Sequence, residues 1–412
     1  MGKWRVWHSA KAFCEFIVDN TLLANIKDEV EFKSLPESDA AKGGEFHKVP
    51  DHIKKILYLD AADMIVEYDS DPVLCIEETK EAGTGHNGLQ RFARMAAAAE
   101  NNVPAIYIMP EACIISRKDV KPRWDSINPM VFHAFDSVMD IFKIPALFYY
   151  YPSDYRNYPN PEESPHLNSK GIIYNEDIVK YPACPYIDDE MENLFKTIDV
   201  ILSNAINKSP ATELLNKRVI KERRDMMRRE FYTKLGDRKK EELSPITATI
   251  TLETNKLLNF LSEFSDEDND VSELLSSRKE SVIYQCDAKF RGDPYAGTLA
   301  AIDYLLCRCG KTYEERDRNL VLCFGDVKEE SDSINVISTK CSVDDFIKSV
   351  HNSGTKNLLT AKRFGEIKPK DIGRYYMQVR YGSTYSKVKH IRVFSYFADA
   401  IIFKDGALWR EA

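Results

Sequence analysis

No run of roughly 18 apolar residues occurs in the chain, so nothing in it reads as a membrane-spanning helix. The N-terminus, MGKWRVWHSAKAFCEF, also lacks the apolar stretch of a secretory signal, and a cytoplasmic protein without a membrane partner is expected. A G-x-G-x-x-G or Walker loop after a strand is missing too, which disfavours a metal-independent metabolic α/β enzyme. The nine cysteines are odd in number and scattered. The one close pair, Cys307-Arg308-Cys309, has neither a two-residue gap nor a matching second pair, so structural zinc is excluded and reduced core thiols are expected. Positive charge is in deficit: 57 Lys and Arg against 65 Asp and Glu leave a net charge of −8. That balance excludes a passive nucleic-acid coat, though not an enzyme whose catalytic carboxylates coexist with a local basic cleft.

What is present centres on residues 56 to 110. Asp63 to Tyr68 is apolar in its middle, Asp69-Ser70-Asp71-Pro72 is turn chemistry, and Val73 to Ile76 is the continuous apolar run of a strand buried on both faces. This predicted hairpin ends abruptly in Glu77-Glu78-Thr79-Lys80. Two carboxylates and an ammonium at the end of a buried strand fit a divalent cation, which takes carboxylate oxygens. Asp63 faces Glu78 across the hairpin in this reading, and Lys80 projects from the same side two residues on. A metal set drawn from Asp63, Glu77 and Glu78 leaves open which glutamate is the ligand; a Glu77 register would lose the lysine. The loop EAGTGHNG, bearing His86 and Asn87, lets backbone approach a phosphate closely. A helix over Leu89 to Asn101 carries Gln90, Arg91 and Arg94, the arginines serving either phosphates or a solvated face. The apolar VPAIYIMP then closes a β–α–β unit.

Asp63, the hairpin, Glu78-x-Lys80 and the helix behind them resemble the PD-(D/E)xK nuclease superfamily. Where that pattern has a proline this chain has Ala62. The resemblance implies a restriction endonuclease-like fold, a mixed α/β sheet flanked by helices. It implies Asp63, Glu78, Lys80 and Gln90 as catalytic residues, Mg²⁺ as cofactor and double-stranded DNA as substrate. By the same resemblance the chain is a type II restriction endonuclease acting as a homodimer. The alternative is a non-catalytic DNA-binding or assembly protein on a degenerate nuclease fold.

The length predicts a nuclease-like domain over 1–215, a basic helical connector over 216–245 and a second α/β domain over 246–412. Residues 111 to 210 turn rich in tyrosine and proline, which form either a nucleic-acid-facing surface on which bases stack or packed irregular loops, with a helix from Asp188 to Ile206. Lys217 to Glu242 holds eleven Lys and Arg against six Asp and Glu, a helix that either tracks phosphates or carries intrahelical ion pairs. Ser281 to Gly325 repeats the earlier order of buried strand, acid-x-lysine, polar loop, helix and buried strand. Asp287 and Lys289 stand there in the places of Glu78 and Lys80, a second candidate site. Glu253, Asp270 and Glu273 are the upstream acids on offer, all poorly spaced. A degenerate copy used for DNA binding, a second active site and the true site remain open readings of this half. Near the C-terminus, Arg374, Arg380, Lys387, Lys389 and Arg392 lie on strand-like segments suited to a groove.

Overall fold

In the computed structural model, Asp69 and Ser70 take φ of 51° and 70°, the left-handed pair that a two-residue hairpin turn demands. The turn is thus two residues shorter than the sequence suggests, and Asp71-Pro72 already belongs to the returning strand. Asp69 accepts the Lys3 N–H at 2.8 Å, which holds the tip against the N-terminus. The structure describes residues 2–35, 49–57, 62–79, 86–117, 120–164, 187–243, 249–265, 271, 273–286, 292–312, 314–337, 341–343, 345 and 397–409. Lys80, Asp270, Asp287, Lys289 and the basic residues from Arg374 to Arg392 lie outside them.

Two compact units divide at Gly236 and Asp237. The first contains β1 (Trp4–His8), α1 (Lys11–Asp19), β2 (Glu31–Ser34), β3 (Met64–Tyr68), β4 (Asp71–Glu78), α2 (His86–Glu100) and β5 (Ala105–Pro110). It continues through β6 (Ala112–Arg117), β7 (Val120–Ser126), α3 (Met130–Phe142), β8 (Ala146–Tyr151), α4 (Asp189–Ile206) and α5 (Arg218–Leu235). Among the described residues a six-stranded sheet runs in the order β2-β1-β3-β4-β5-β8. β3 is antiparallel to β1 and β4, whereas β4, β5 and β8 are parallel, the geometry that a crossover helix such as α2 requires. Register sorts the side chains: Glu78, Ile108 and Tyr149 share one face, and Glu77, Tyr107 and Phe148 the other.

Helices cover both faces. Tyr149 bonds Thr197 of α4 at 2.6 Å, while Phe132 and Phe135 of α3 stack edge-on against Phe148. Phe92, Met95 and the alanines Ala96 to Ala99 of α2 are all buried, the small side chains bringing that helix close to its neighbours. The aromatic run ALFYYY, expected in a base-stacking surface or a packed loop, is the fully buried strand β8, because helices enclose it on both sides. The basic segment is likewise no connector. α5 packs against α3 inside the first unit, and Gly236, at φ 55°, ends it where a residue without Cβ is favoured.

The second unit has β9 (Thr249–Glu253), α6 (Thr254–Ser262), β10 (Glu280–Gln285), α7 (Gly292–Ile302), β11 (Arg318–Cys323) and a small hairpin of β12 (Asp326–Glu329) and β13 (Ile334–Ile337). β14 (Ala400–Phe403) and β15 (Gly406–Trp409) complete it. Its described sheet runs β15-β14-β11-β10-β9, with β9 antiparallel to β10 and β10, β11 and β14 parallel. Leu257, Phe260 and Leu261 of α6 pack with Ile283, Val321 and Ile402 on one face. On the other, Tyr295 of α7 meets Tyr284 and Phe324. Both units are therefore mixed sheets flanked by helices, an α/β architecture. No helix among the described residues is long and apolar enough to cross a membrane.

Candidate active site

Asp63 stands just before β3, where the antiparallel ladder with β4 stops, and its carboxylate extends that ladder. Oδ2 accepts the backbone N–H of Glu78 at 2.9 Å, and Oδ1 accepts Ser9 Oγ at 3.0 Å. The Asp63 carbonyl accepts the Ser9 N–H at 3.0 Å and the Cys14 thiol at 3.5 Å. One acid thus ties the ends of β1, β3 and β4 together and lies against the last residue of β4. The predicted hairpin forms, but its register, with Met64 opposite Ile76, sets Asp63 across from Glu77 rather than Glu78, and the Asp63 carboxylate meets Glu78 through the backbone N–H.

Glu78 is buried at 7% exposure, and the Tyr151 hydroxyl donates to its Oε2 at 3.2 Å. That contact follows from register. Tyr149 shares the Glu78 face, Tyr151 lies two residues further along β8, and period-two alternation returns it to that face. Burial pushes the Cys14 thiol pKa well up, and the Asp63 and Glu78 charges push it the same way. Both acids therefore act on a single neighbouring group.

Glu77 is turned to the opposite face with no exposure at all. Arg91 and Arg94, one helical turn apart on α2, both donate to its Oε1, Arg94 at 2.5 Å, and Oε2 has no hydrogen-bond partner among the described residues. Burial pushes its pKa up to about 7 against the opposing pull of Arg94 and Arg91, with the Asp63 charge adding to the rise. The two arginines, expected at phosphates or on a solvated face, instead fasten α2 to β4 through Glu77. Next along β4, the Thr79 hydroxyl bonds Tyr107 at 3.1 Å. Gln90 is half-buried in the early turns of α2.

Ser9 and Tyr151 are the residues that sequence reasoning missed. They come from the residue after β1 and from the end of β8, 54 and 73 residues from their partners, and neither carries a motif. The one available signal is the alternation along ALFYYY, which sets every second tyrosine on one face. Among the described residues, no three His, Cys, Asp or Glu side chains gather as a metal centre.

In the second unit, β10 ends at Gln285, whose Oε1 accepts the Val327 N–H at 2.6 Å. Glu253 pairs with Glu280 at the opposite end of β10 from the segment carrying Asp287, and Glu273 precedes β10 at that same far end. Comparison with protein-family models, with curated proteins and with solved structures found no match to this chain.

Proposed function

We propose that the chain is a Mg²⁺-dependent endonuclease cutting double-stranded DNA, with its chemistry at the C-terminal end of β4. The observation that carries this reading is the Asp63 carboxylate seated against the Glu78 backbone, on a hairpin whose next residue but one is Lys80. The surrounding order agrees with a restriction endonuclease-like core: antiparallel β3 and β4, a crossover helix, then parallel β5 and β8.

The donor chemistry suits Mg²⁺. This ion takes hard oxygen ligands, keeps several waters and is commonly held by only one or two carboxylates. Asp63 and Glu78 would hold it. Each carboxylate oxygen that accepts one hydrogen bond keeps a second lone pair for a cation. When bound, the ion would polarise the scissile phosphate and stabilise the leaving oxygen. Ser9 and the Glu78 N–H fix the direction of the Asp63 carboxylate, and the Tyr151 hydroxyl fixes that of Glu78. Lys80 would position the attacking water, and Gln90 would support the site from α2. The type II reading adds recognition of a defined duplex sequence by a dimer.

Supercoiled plasmid tests this directly. Nicked and linear products are expected with MgCl₂ and none with EDTA. Glu78→Gln should abolish cutting, while Tyr151→Phe, which removes only the orienting hydroxyl, should slow it about tenfold to a hundredfold. Plasmid that stays intact in Mg²⁺ leaves a non-catalytic DNA-binding protein as the better description.

A further inference from the structure

Among the described residues, β8 is the outer strand of the first unit's sheet. Its peptide groups alternate between two directions. Ala105 of β5 donates its N–H to the Pro145 carbonyl at 2.9 Å, so the peptide groups of Leu147, Tyr149 and Tyr151 face β5, and those of Phe148 and Tyr150 face away. An outer strand with open peptide groups is a template for a further strand. β8 is also poorly suited to lie open. ALFYYY has no charge, glycine or proline, the composition of a strand that stacks on copies of itself, and prolines stand only at its flanks, Pro145 and Pro152.

Two helices close this edge with side chains. Arg223 of α5 donates its Nε–H to the Phe148 carbonyl, and Glu190, in the first turn of α4, accepts the Tyr150 N–H at 3.1 Å. The two are joined to each other, Arg223 Nη2 to Glu190 Oε1 at 2.6 Å. In a parallel pair, one residue of the neighbouring strand donates to the carbonyl of residue i−1 and accepts the N–H of residue i+1. Here residue i is Tyr149, and its ring carries the Arg223 guanidinium at 4.0 Å. Stability alone gives a weak reason for the pair. Arg223 is only 7% exposed, and apolar residues of similar volume commonly serve a buried position as well as an ion pair or better. Apolar side chains could not, however, occupy the Phe148 carbonyl and the Tyr150 N–H.

We infer that Glu190 and Arg223 stand in for one residue of a seventh strand and so bar a second copy of this chain from adding its own β8 to the sheet. The second copy is the partner excluded, since every copy presents the same uncharged aromatic strand at the same edge. The inference does not depend on the nuclease reading.

The test is light scattering of the full chain over a concentration series, comparing the wild type with Glu190→Ala combined with Arg223→Met. That pair of changes removes both edge bonds and keeps an unbranched side chain over Tyr149. The double variant should associate, reaching at least about twice the wild-type mass at roughly 100 µM, in the range where unpaired strand edges aggregate. Hydrogen exchange of residues 145–152 locates the contact: exchange there should be faster than wild type in the dilute variant and slower once it has associated. Circular dichroism establishes that the variant is folded. Wild-type mass in the folded double variant at every concentration overturns the inference. So does association that leaves exchange in residues 145–152 unchanged, because the contact then lies elsewhere. Two single variants carry the test if the double variant does not fold. Glu190→Ala opens only the Tyr150 N–H and should associate above wild type, whereas Glu190→Gln, which still accepts that N–H, should keep the wild-type mass. Equal association of the two singles overturns the inference, since charge rather than the edge bond would then be at stake.

Discussion

Glu77 has no contact with water and faces two guanidiniums, so its charge state is coupled to theirs. Replacing Arg94 by Met removes the group that most lowers the Glu77 pKa and leaves a buried carboxylate half-compensated. The cost should be about 3 kcal/mol at pH 8, where Glu77 is ionised, at the lower end for a broken buried pair because Arg91 remains. The folded pKa already lies above the ordinary carboxylate value of 4.5. Whatever stability depends on a protonated Glu77 is therefore present at low pH and lost as pH rises through the folded value of about 7. Loss of Arg94 moves that value higher still, so the variant should be penalised less at pH 5 than at pH 8. Urea unfolding at the two pH values checks this, and equal losses at both would refute it. The same residue marks where legibility in the sequence ends. Asp63 and Glu78 were legible because one hairpin brings them together over 15 residues. The division of labour between Glu77 and Glu78 depends instead on α2 presenting two arginines to one face, which the EETK string does not reveal.

The basic segment shows the same limit one level up. Eleven cations in 26 residues look like a phosphate track, yet α5 turns Arg224 and Arg228 onto Asp136 and Asp140 of α3 and buries Arg223 over the Tyr149 ring at 4.0 Å. Those carboxylates lie 84 to 92 residues away in the chain, beyond the reach of local charge counting. Asp136 is the centre of the ladder, accepting Arg224 Nε at 2.5 Å and Arg228 Nε at 2.8 Å while nearly buried. Asp136→Asn should therefore cost about 1.5–3 kcal/mol, the range for hydrogen bonds to charged groups. Asp140, more than half exposed, should matter less: Asp140→Asn should cost under about 1 kcal/mol, and high salt should shrink even that. Urea titrations of both variants at low and high ionic strength decide the point, and similar costs for the two would mean that α5 is held by its apolar side alone. The predicted hairpin and the β–α–β order, by contrast, were legible. Both follow from turn residues and apolar runs within a few residues of one another.

At the scale of the whole molecule, the two units repeat one pattern of pairing. An antiparallel strand, a strand leading to an acid-x-lysine, a helix and two further parallel strands occur as β3-β4-α2-β5-β8 and again as β9-β10-α7-β11-β14. The likeness stops at the acid that enters from the antiparallel strand. Asp63 precedes β3 and reaches the end of β4, whereas the five residues before β9, Ser244 to Ala248, contain no carboxylate. Glu253 sits at the opposite end of its strand pair, beside Glu280. Among the described residues, then, only the first unit brings an upstream acid to the end of its central strand. Asp63→Asn should accordingly abolish Mg²⁺-dependent plasmid cleavage, and Asp287→Asn should keep the wild-type rate. Gel assays of both variants, with circular dichroism to establish that each is folded, measure the contrast. The reverse outcome, cleavage lost with Asp287 and kept without Asp63, would move the chemistry to the second unit and leave the Asp63 carboxylate as a clasp between β1, β3 and β4.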